Sequence, residues 1–241
     1  MSFKKYFNPT NKNVEDLKHS MMFDIKLNQI MKGVMDLQQE RRPKDTFHCS
    51  NIIVEPDKFC IRKQIFDYKY PQHQIISSEL RRIFYNGIIH HEKWQKLFKI
   101  GGIAEKIEVT HYSKKYHLTG TPDAVINLWG KSWIVEIKSI RTEIFKRIKP
   151  VTKPISSAII QANLYMWLTQ IPRAIILGDN KNDHEVEYFF IEFDYEKIMI
   201  FLEQHLQVLE YLRNKKLPKL KCKIPVEAKD CQHCIKCFGK I

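Results

Sequence analysis

One stretch of the sequence constrains the fold more than any other, the run GTPDAVINLWGKSWIVEIKSI at residues 120–140. Two segments of strand length, rich in apolar and β-branched residues, flank Trp129 and Gly130. This pattern predicts an antiparallel hairpin with a two-residue loop. The register set by such a loop places Asp123 opposite Glu136. The sequence therefore predicts two carboxylates that face each other across a pair of strands.

The two carboxylates, with Lys138 beside them, are candidates for a functional site. Opposed residues on an antiparallel pair have Cβ atoms about 4.5–5.5 Å apart, and Lys138 shares the face of Glu136 because side chains alternate with period two. Facing like charges destabilise a sheet unless something binds between them, and a divalent metal with oxygen ligands meets that need. The residues alone leave two alternatives open: carboxylates on a solvated face paired with Lys138, or a slipped register, since Trp129 is not a preferred turn residue.

Hydrophobic periodicity divides the rest of the chain into helices and strands. Near-helical spacing of Leu17, Met21, Ile25 and Met31 predicts an amphipathic N-terminal helix, with Gly33 as a candidate break. The predicted helices cover residues 14–42, 50–70 (with Pro56 at a first helical position), 77–100, 155–169 and 195–214, and the predicted strands cover 103–112, 115–128, 131–140, 173–178 and 186–193.

This order of elements indicates one mixed α/β core. A length of 241 residues with 44% hydrophobic residues can bury such a core and excludes disordered and low-complexity classes. We expect a single domain over residues 1–241, with a mainly helical N-terminal part (1–100), a core (101–214) and a cysteine-rich tail (215–241) that packs back on Cys60.

The charge balance favours polyanionic partners. The chain has 40 Lys and Arg residues against 27 Asp and Glu residues, a net charge of +13, and phosphate backbones are the commonest polyanions that such proteins meet. No apolar run reaches the length of about 18 residues that a membrane span needs, and the start MSFKKYFNPT lacks the apolar region of a signal peptide. We expect a cytoplasmic protein without a membrane partner.

The hairpin resembles the core motif of the PD-(D/E)XK nucleases, with Asp123, Glu136 and Lys138 at its three positions. The segment NGIIHHEKWQKLF resembles the histidine motif of the RecB-like branch, in which a glycine precedes by four residues a metal-binding histidine followed by Glu. The family spacing assigns that role to His91 over its neighbour His90.

A third segment, QANLYMWL, resembles the Q-x-x-x-Y motif of the same branch, with Gln161 and Tyr165 one helical turn apart. The resemblance implies a restriction-endonuclease-like α/β fold, a central mixed sheet flanked by helices, with an N-terminal helical layer and a C-terminal cysteine-rich cap. It also implies a Mg²⁺- or Mn²⁺-dependent exonuclease acting on single-stranded DNA. The implied catalytic residues are Asp123, Glu136, Lys138, His91, Gln161 and Tyr165, and the implied metal ligands are His91, Asp123, Glu136 and the backbone carbonyl of Ile137, with Glu108 as a further candidate and Glu105 as its equal rival.

Four of the six cysteines lie near the C-terminus, three of them in CQHCIKC. The C-x-x-C-x-x-C spacing suits three corners of an iron–sulfur cubane, with a remote cysteine as the fourth ligand. Together with CIRK at Cys60, it resembles the iron–sulfur subgroup of the family, which includes CRISPR-adaptation exonucleases, the AddB nuclease domain and phage-encoded nucleases. The implied [4Fe–4S] ligands are Cys60, Cys231, Cys234 and Cys237, with Cys222 as an alternate; zinc, with His48 or His233 as substitutes, is the alternative metal.

Single-stranded DNA is the expected partner, with protein partners in replication, recombination or CRISPR adaptation as further candidates and host cytoplasm as the location if the chain is phage-encoded. Two other functions stay open, a catalytically idle DNA-binding or partner-docking module and an RNA-directed nuclease. Candidate phosphate-binding residues are Arg62, Lys63, Arg81, Arg82, Lys114, Lys115, Arg141, Lys146 and Arg147, and candidate base-stacking residues are Trp94, Tyr112, Tyr116 and Phe145.

Overall fold

The computed structural model describes residues 14–40, 45–70, 77–149, 153–223 and 231–239. Backbone contacts divide the chain into two compact units, Met1–Pro43 with Ile75–Ile88, and Lys44–Gln74 with Ile89–Ile241. The expectation of one domain over residues 1–241 stays a prediction.

The described helices and strands follow the predicted order closely. The helices are α1 (Val14–Glu40), α2 (Ile61–Lys69), α3 (Ser78–Ile100), α4 (Thr142–Ile148), α5 (Ser156–Thr169), α6 (Tyr195–Arg213) and α7 (Cys234–Phe238); the strands are β1 (Phe47–His48), β2 (Ala104–Ile107), β3 (His111–Ser113), β4 (Leu118–Gly120), β5 (Ala124–Leu128), β6 (Lys131–Ile140), β7 (Arg173–Asn180) and β8 (Val186–Glu192). No helix in these ranges is long and apolar enough to cross a membrane.

The larger unit is built on a mixed sheet of five strands in the order β2-β5-β6-β7-β8. Strands β6 and β7 are parallel, and the other neighbours are antiparallel. Parallel neighbours need a crossover connection, and here it contains α4 and α5. The sequence pattern did not predict α4, whose seven residues are too short to show a clear helical period.

The predicted hairpin register is confirmed. Leu128 pairs with Lys131 and Ala124 pairs with Val135. Asp123 and Glu136 are the next residues of the two strands, so they face each other. Trp129 has a φ of 55° and Gly130 a φ of 70°, the left-handed conformations that a type I′ turn requires.

Two predicted strands are each divided between two sheets. The run 115–128 forms β4 and β5, because Pro122 lies between them and cannot donate a ladder hydrogen bond. The run 103–112 forms β2 and β3, with Glu108 between them at a φ of 49°. Strands β1, β4 and β3 make a separate small sheet. The chain therefore leaves the main sheet next to Glu108 and re-enters it at Asp123.

The two faces of the five-stranded sheet carry different cores. Alternation along β6 places Ile134 and Ile140 in the core that also contains apolar residues of α5 and α6. The opposite face carries Val135 and Ile137, which pack with Phe98 of α3. Glu136 and Lys138 lie on the same face of β6 as Ile134 and Ile140, so their side chains are on the α5 side of the sheet.

The smaller unit contains α1 and the first part of α3. Arg81 Nη1 donates a hydrogen bond to the backbone carbonyl of Asn28 (3.1 Å). Helix α1 runs unbroken through Gly33, and Met31 is buried, but Met21 and Ile25 are 66% and 56% exposed. The amphipathic prediction for α1 was therefore wrong for those two residues, because the described part of this unit, α1 and the first part of α3, offers little surface to bury them.

The predicted helix over residues 50–70 was also too long. The structure has two 3₁₀ turns, Cys49–Asn51 and Pro56–Lys58, before α2 begins after Cys60. Pro56 does start a helical turn, but that turn is a single 3₁₀ one.

Substitution Gly120→Ala should destabilise the protein by about 1–3 kcal/mol, because added volume in a packed core forces side chains or backbone to shift. A Cβ on Gly120 would lie 2.9 Å from atoms of Leu168 and Tyr165 and 3.0 Å from Cys49 Sγ. Urea unfolding measures the change. The control is Gly87→Ala in α3, where a Cβ meets nothing within 4 Å, and which should stabilise by about 0.5–1 kcal/mol. Equal stability of the two variants would contradict the expected crowding at Gly120.

Buried His205 should make stability fall in mild acid. Burial lowers the pKa of His205 from 6.5 to about 4, although Nε2 donates to the Tyr116 carbonyl (3.0 Å) and partly opposes the shift. The unfolded chain then binds more protons than the folded chain between these two values, so the stability held above pH 6.5 falls as pH drops toward 4, by about 3 kcal/mol for this group.

The variant His205→Gln keeps a donor for Tyr116 and removes the titration. Urea unfolding of wild type and variant between pH 4 and pH 7 should show a pH slope of the unfolding free energy that is smaller in the variant by up to one proton. His19→Gln, at an exposed position on α1, should leave the slope unchanged. Identical slopes for wild type and His205→Gln would show that His205 does not carry this dependence.

Candidate active site

Asp123 lies where the chain enters β5, and both of its carboxylate oxygens have partners. The backbone N–H of Ile137 donates to Oδ2 (2.7 Å), and His91 Nδ1 lies 3.1 Å from Oδ1. The first contact crosses the hairpin just beyond Ala124 and Val135, the last paired residues, so it follows directly from the register. The second brings α3 to the same carboxylate.

Glu136 and Lys138 begin a chain of hydrogen bonds that ends on α5. Lys138 Nζ donates to Glu136 Oε1 (2.6 Å) and to Gln161 Oε1 (2.8 Å), and Gln161 Nε2 donates to the hydroxyl of Tyr165 (2.9 Å). The spacing of Gln161 and Tyr165 places both side chains on the face of α5 that meets β6. The structure therefore brings together all six residues predicted to be catalytic.

The electrostatics of the site reflect its burial. Burial raises the pKa of Glu136 to about 7, with a further contribution from the negative charge of Asp123. Burial by itself would lower the pKa of Lys138, but the adjacent Glu136 outweighs it, and the pKa of Lys138 is raised. Glu136 is 2% exposed, and its Oε2 has no hydrogen-bond partner among the described residues. A buried carboxylate oxygen without a partner is costly, and a bound cation would satisfy it.

His91 and His90 serve different sides of α3. Burial acts to lower the pKa of His91, but the hydrogen bond and charge of Asp123 outweigh it and raise the pKa. His90 is buried and lies 3.1 Å from Asp179 Oδ2. The structure thus assigns the position beside Asp123 to His91, as the family spacing implied.

Glu108 is linked to the site through Gln95, a residue that the sequence analysis missed. Gln95 Nε2 donates to Glu108 Oε1 (3.0 Å) and to the backbone carbonyl of Asp123 (3.1 Å). The available signal was its position four residues after His91, which places it on the same helix face. The rival Glu105 instead accepts hydrogen bonds from Asn127 and Ser132.

The donor set fits a hard divalent cation. Asp123 and Glu136 supply carboxylate oxygens, a histidine supplies a nitrogen, and the unpartnered Glu136 Oε2 leaves an acceptor open. Across the described ranges, no group of three or more His, Cys, Asp or Glu residues is arranged to hold a metal ion. In the site, His91 is paired with Asp123, and Glu136 is paired with Lys138.

The cysteine-rich tail is anchored to the region around α2. His233 Nε2 and Gln232 Nε2 both lie within hydrogen-bond distance of Asp67 Oδ1 (2.7 and 2.6 Å). Lys221 Nζ donates to the Phe59 carbonyl (2.9 Å), next to Cys60. Cys222 is therefore adjacent in sequence to Lys221, which contacts the segment just before α2. The part of the predicted tail at residues 224–230 and 240–241 lies outside the described residues.

The candidate DNA-contacting residues divide into two groups. Tyr116 and Phe145 are buried core residues, so they are not free for base stacking as predicted. Trp94 is half-buried and donates to Asp179, and Tyr112 is exposed. Among the basic residues, Arg62, Lys63, Arg81 and Arg82 have protein partners, and Lys114, Lys115, Arg141, Lys146 and Arg147 have exposed side chains.

Comparison with known proteins places this geometry in a known fold. By sequence, the chain matches no family profile and no curated protein. By structure, it is similar to SSO0001 (TM-score 0.55, 16% identity, 92% of this chain and 96% of that one). It is also similar to LHK-Exo in complex with dAMP (TM-score 0.51, 16% identity, 71% and 93%), an alkaline exonuclease from Laribacter hongkongensis. A phage-related exonuclease from Haemophilus somnus 129PT aligns with a TM-score of 0.48 at 17% identity, over 70% and 96% of the two chains. The central mixed sheet flanked by helices, with the Asp123–Glu136 hairpin at its centre, is a PD-(D/E)XK-like fold.

Proposed function

We propose that this protein is a Mg²⁺- or Mn²⁺-dependent deoxyribonuclease that hydrolyses phosphodiester bonds from an end of single-stranded DNA. The observation that carries the proposal is the juxtaposition of Asp123, Glu136 and Lys138, with a buried carboxylate oxygen that lacks a partner. The fold agrees with it, and the similar LHK-Exo is an exonuclease whose crystal structure contains dAMP.

Each site residue has a part in this reaction. Asp123, Glu136, His91 and the carbonyl of Ile137 would hold the cation, with Glu108 as an additional ligand. The bound cation would polarise a phosphoryl oxygen and lower the pKa of a bound water. Lys138, held by Glu136 and Gln161, donates a hydrogen bond that orients the attacking water. The water oxygen bonds to phosphorus and loses a proton, the bond from phosphorus to the leaving oxygen breaks, and the leaving oxygen takes up one proton, so that hydrolysis has no net change in protons.

Tyr165 and Gln161 act behind Lys138. The Gln161 amide accepts from Lys138 Nζ and donates to the Tyr165 hydroxyl, so the amide orientation is determined at both ends. Burial raises the pKa of Tyr165 well above its usual value, which keeps the hydroxyl protonated. The Lys138 ammonium is thus held in one place, because the Gln161 amide that accepts from it is itself fixed by Tyr165.

The preference for single strands rests on the resemblance alone, and the preference for DNA ends is also supported by LHK-Exo, an exonuclease whose structure contains dAMP. A side-by-side digestion of linear DNA, circular DNA and linear RNA strands of the same sequence tests it. We expect cleavage of linear single-stranded DNA, and cleavage of the circular strand would favour an endonuclease. Faster digestion of RNA would favour the RNA-directed alternative.

Glu136→Gln and Lys138→Ala should each reduce cleavage of linear single-stranded DNA in Mn²⁺ by at least about 100-fold, because positioned acid–base and metal-holding groups contribute factors of this size. The loss should appear with little change in DNA binding, measured by fluorescence anisotropy in Ca²⁺. Initial rates of release of labelled nucleotide measure the cleavage.

The matched control is Glu105→Gln, since Glu105 is an exposed carboxylate that contacts Asn127 and Ser132 rather than the site. This variant should cleave at the wild-type rate. Full cleavage by Lys138→Ala would refute the catalytic assignment, and DNA binding without cleavage by wild type under every divalent metal would favour the idle binding module.

We infer that the cysteines hold a structural [4Fe–4S] cluster in the RecB-like iron–sulfur manner. The proposed ligands are Cys60, Cys231, Cys234 and Cys237. The tail contacts with Asp67 and Phe59 support this proposal, because they keep the C-x-x-C-x-x-C segment and Cys222 beside the region that Cys60 begins. Thiolate ligation would add a strong covalent tie between chain segments that are remote in sequence.

Anaerobically purified protein should be brown, with broad absorbance near about 400 nm, and should contain iron rather than zinc. Cys60→Ser and Cys234→Ser should each lose the absorbance and most of the iron. Cys222→Ser should retain both if Cys60 is the fourth ligand.

Cys49→Ala is the control for the cysteine series, because Cys49 is buried in the main core. It should keep the full absorbance and iron content. A colourless wild-type protein that contains one zinc ion per chain would refute the iron–sulfur cluster and favour the alternative metal, zinc.

A further inference from the structure

A second carboxylate, Asp179, lies on the other side of α3 from the active site. It is near the end of β7, is 0% exposed, and receives three side chains of α3 on its Oδ2. Trp94 Nε1 donates at 2.8 Å, His90 Nδ1 lies at 3.1 Å, and Lys93 forms an ion pair. Because an ionised carboxylate only accepts hydrogen bonds, His90 carries its proton on Nδ1.

The three donors occupy positions that share one helix face. His90, Lys93 and Trp94 are spaced i, i+3 and i+4, so a single acceptor can meet all of them. His91 points about 100° away around the helix axis, because adjacent residues are separated by that angle. Its Nδ1 lies 3.1 Å from Asp123 Oδ1.

The consequence concerns the rotation of the helix about its own axis. A turn of about 100° would bring His90 toward Asp123 in place of His91, and it would break all three contacts with Asp179. Breaking them would leave the buried Asp179 carboxylate with only the contact of its Oδ1 to His184 Nδ1 (3.7 Å), and a buried charge that loses its hydrogen-bond donors is destabilised. The contacts of Asp179 therefore oppose this rotation strongly.

We propose that Asp179 is a positioning residue that fixes the rotation of α3, so that His91 and not the adjacent His90 serves the active site. The inference rests on the proposed function, because it assigns His91 to the cation. The network around Asp179 does not itself suit a cation, since the Lys93 ammonium already neutralises the carboxylate.

The variant Asp179→Asn tests this inference through binding of Mn²⁺ alone to the metal-free protein. Calorimetric titration should show Mn²⁺ affinity reduced by about 10-fold or more, the range seen when partners that orient metal ligands are removed. The electron spin-echo signal of bound Mn²⁺ should show the nitrogen coupling of a histidine in wild type and a weaker coupling in Asp179→Asn.

A double-mutant cycle separates positioning from a general loss of stability. In a His91→Ala background, Asp179→Asn should change Mn²⁺ affinity by less than about 2-fold, because the residue through which it acts is absent. Asp194→Ala, which removes the cap of α6 at Lys197 N, should lower stability with unchanged Mn²⁺ affinity. If Asp179→Asn does not fold, Lys93→Met and Trp94→Phe remove single donors and should each weaken Mn²⁺ binding.

Two outcomes would overturn the positioning role. One is wild-type Mn²⁺ affinity in Asp179→Asn or in both single-donor variants. The other is an equal loss of affinity with and without His91. A wild-type protein that neither binds Mn²⁺ nor cleaves DNA would overturn the proposed function, and this inference with it, before any variant is compared.

Discussion

The pairing of β5 with β6 is the interaction on which the rest of the site depends. The backbone ladder ends at Ala124 and Val135, and beyond it the Asp123 carboxylate accepts the N–H of Ile137. A side chain thus takes the place that a backbone carbonyl would occupy in a continued ladder. The end of the strand pair and the centre of the site are the same set of atoms, so a slip in register would disrupt both.

The other groups reach this point from opposite sides of the sheet. Helix α5 supplies Gln161 to Lys138 on one side, and α3 supplies His91 to Asp123. The crossover that makes β6 and β7 parallel is what places α5 over the strands. Two independent cores, one on each face, therefore hold the helices that complete a single site.

The sequence predicted the parts of the structure that depend on local pattern. The two-residue loop at Trp129 and Gly130 predicts the register that places Asp123 opposite Glu136, although the unusual turn residue Trp129 left a slipped register open until the structure was known. The spacing within α5 likewise determines that Gln161 and Tyr165 share a face.

The parts that depend on packing could not be read in the same way. Tyr116 and Phe145 are buried because of long-range neighbours, and no local signal distinguishes them from Tyr112, which is exposed. Asp179 lies in strand β7, but the partners of its carboxylate come from α3, nearly ninety positions earlier in the chain. Residue type alone gives no indication of such a contact.

Helix α5 has no exposed side over half of its length. Every residue from Ile160 to Met166 is buried, including polar Gln161 and Asn163. A change anywhere on this stretch alters the core as well as the site, because the same helix serves both.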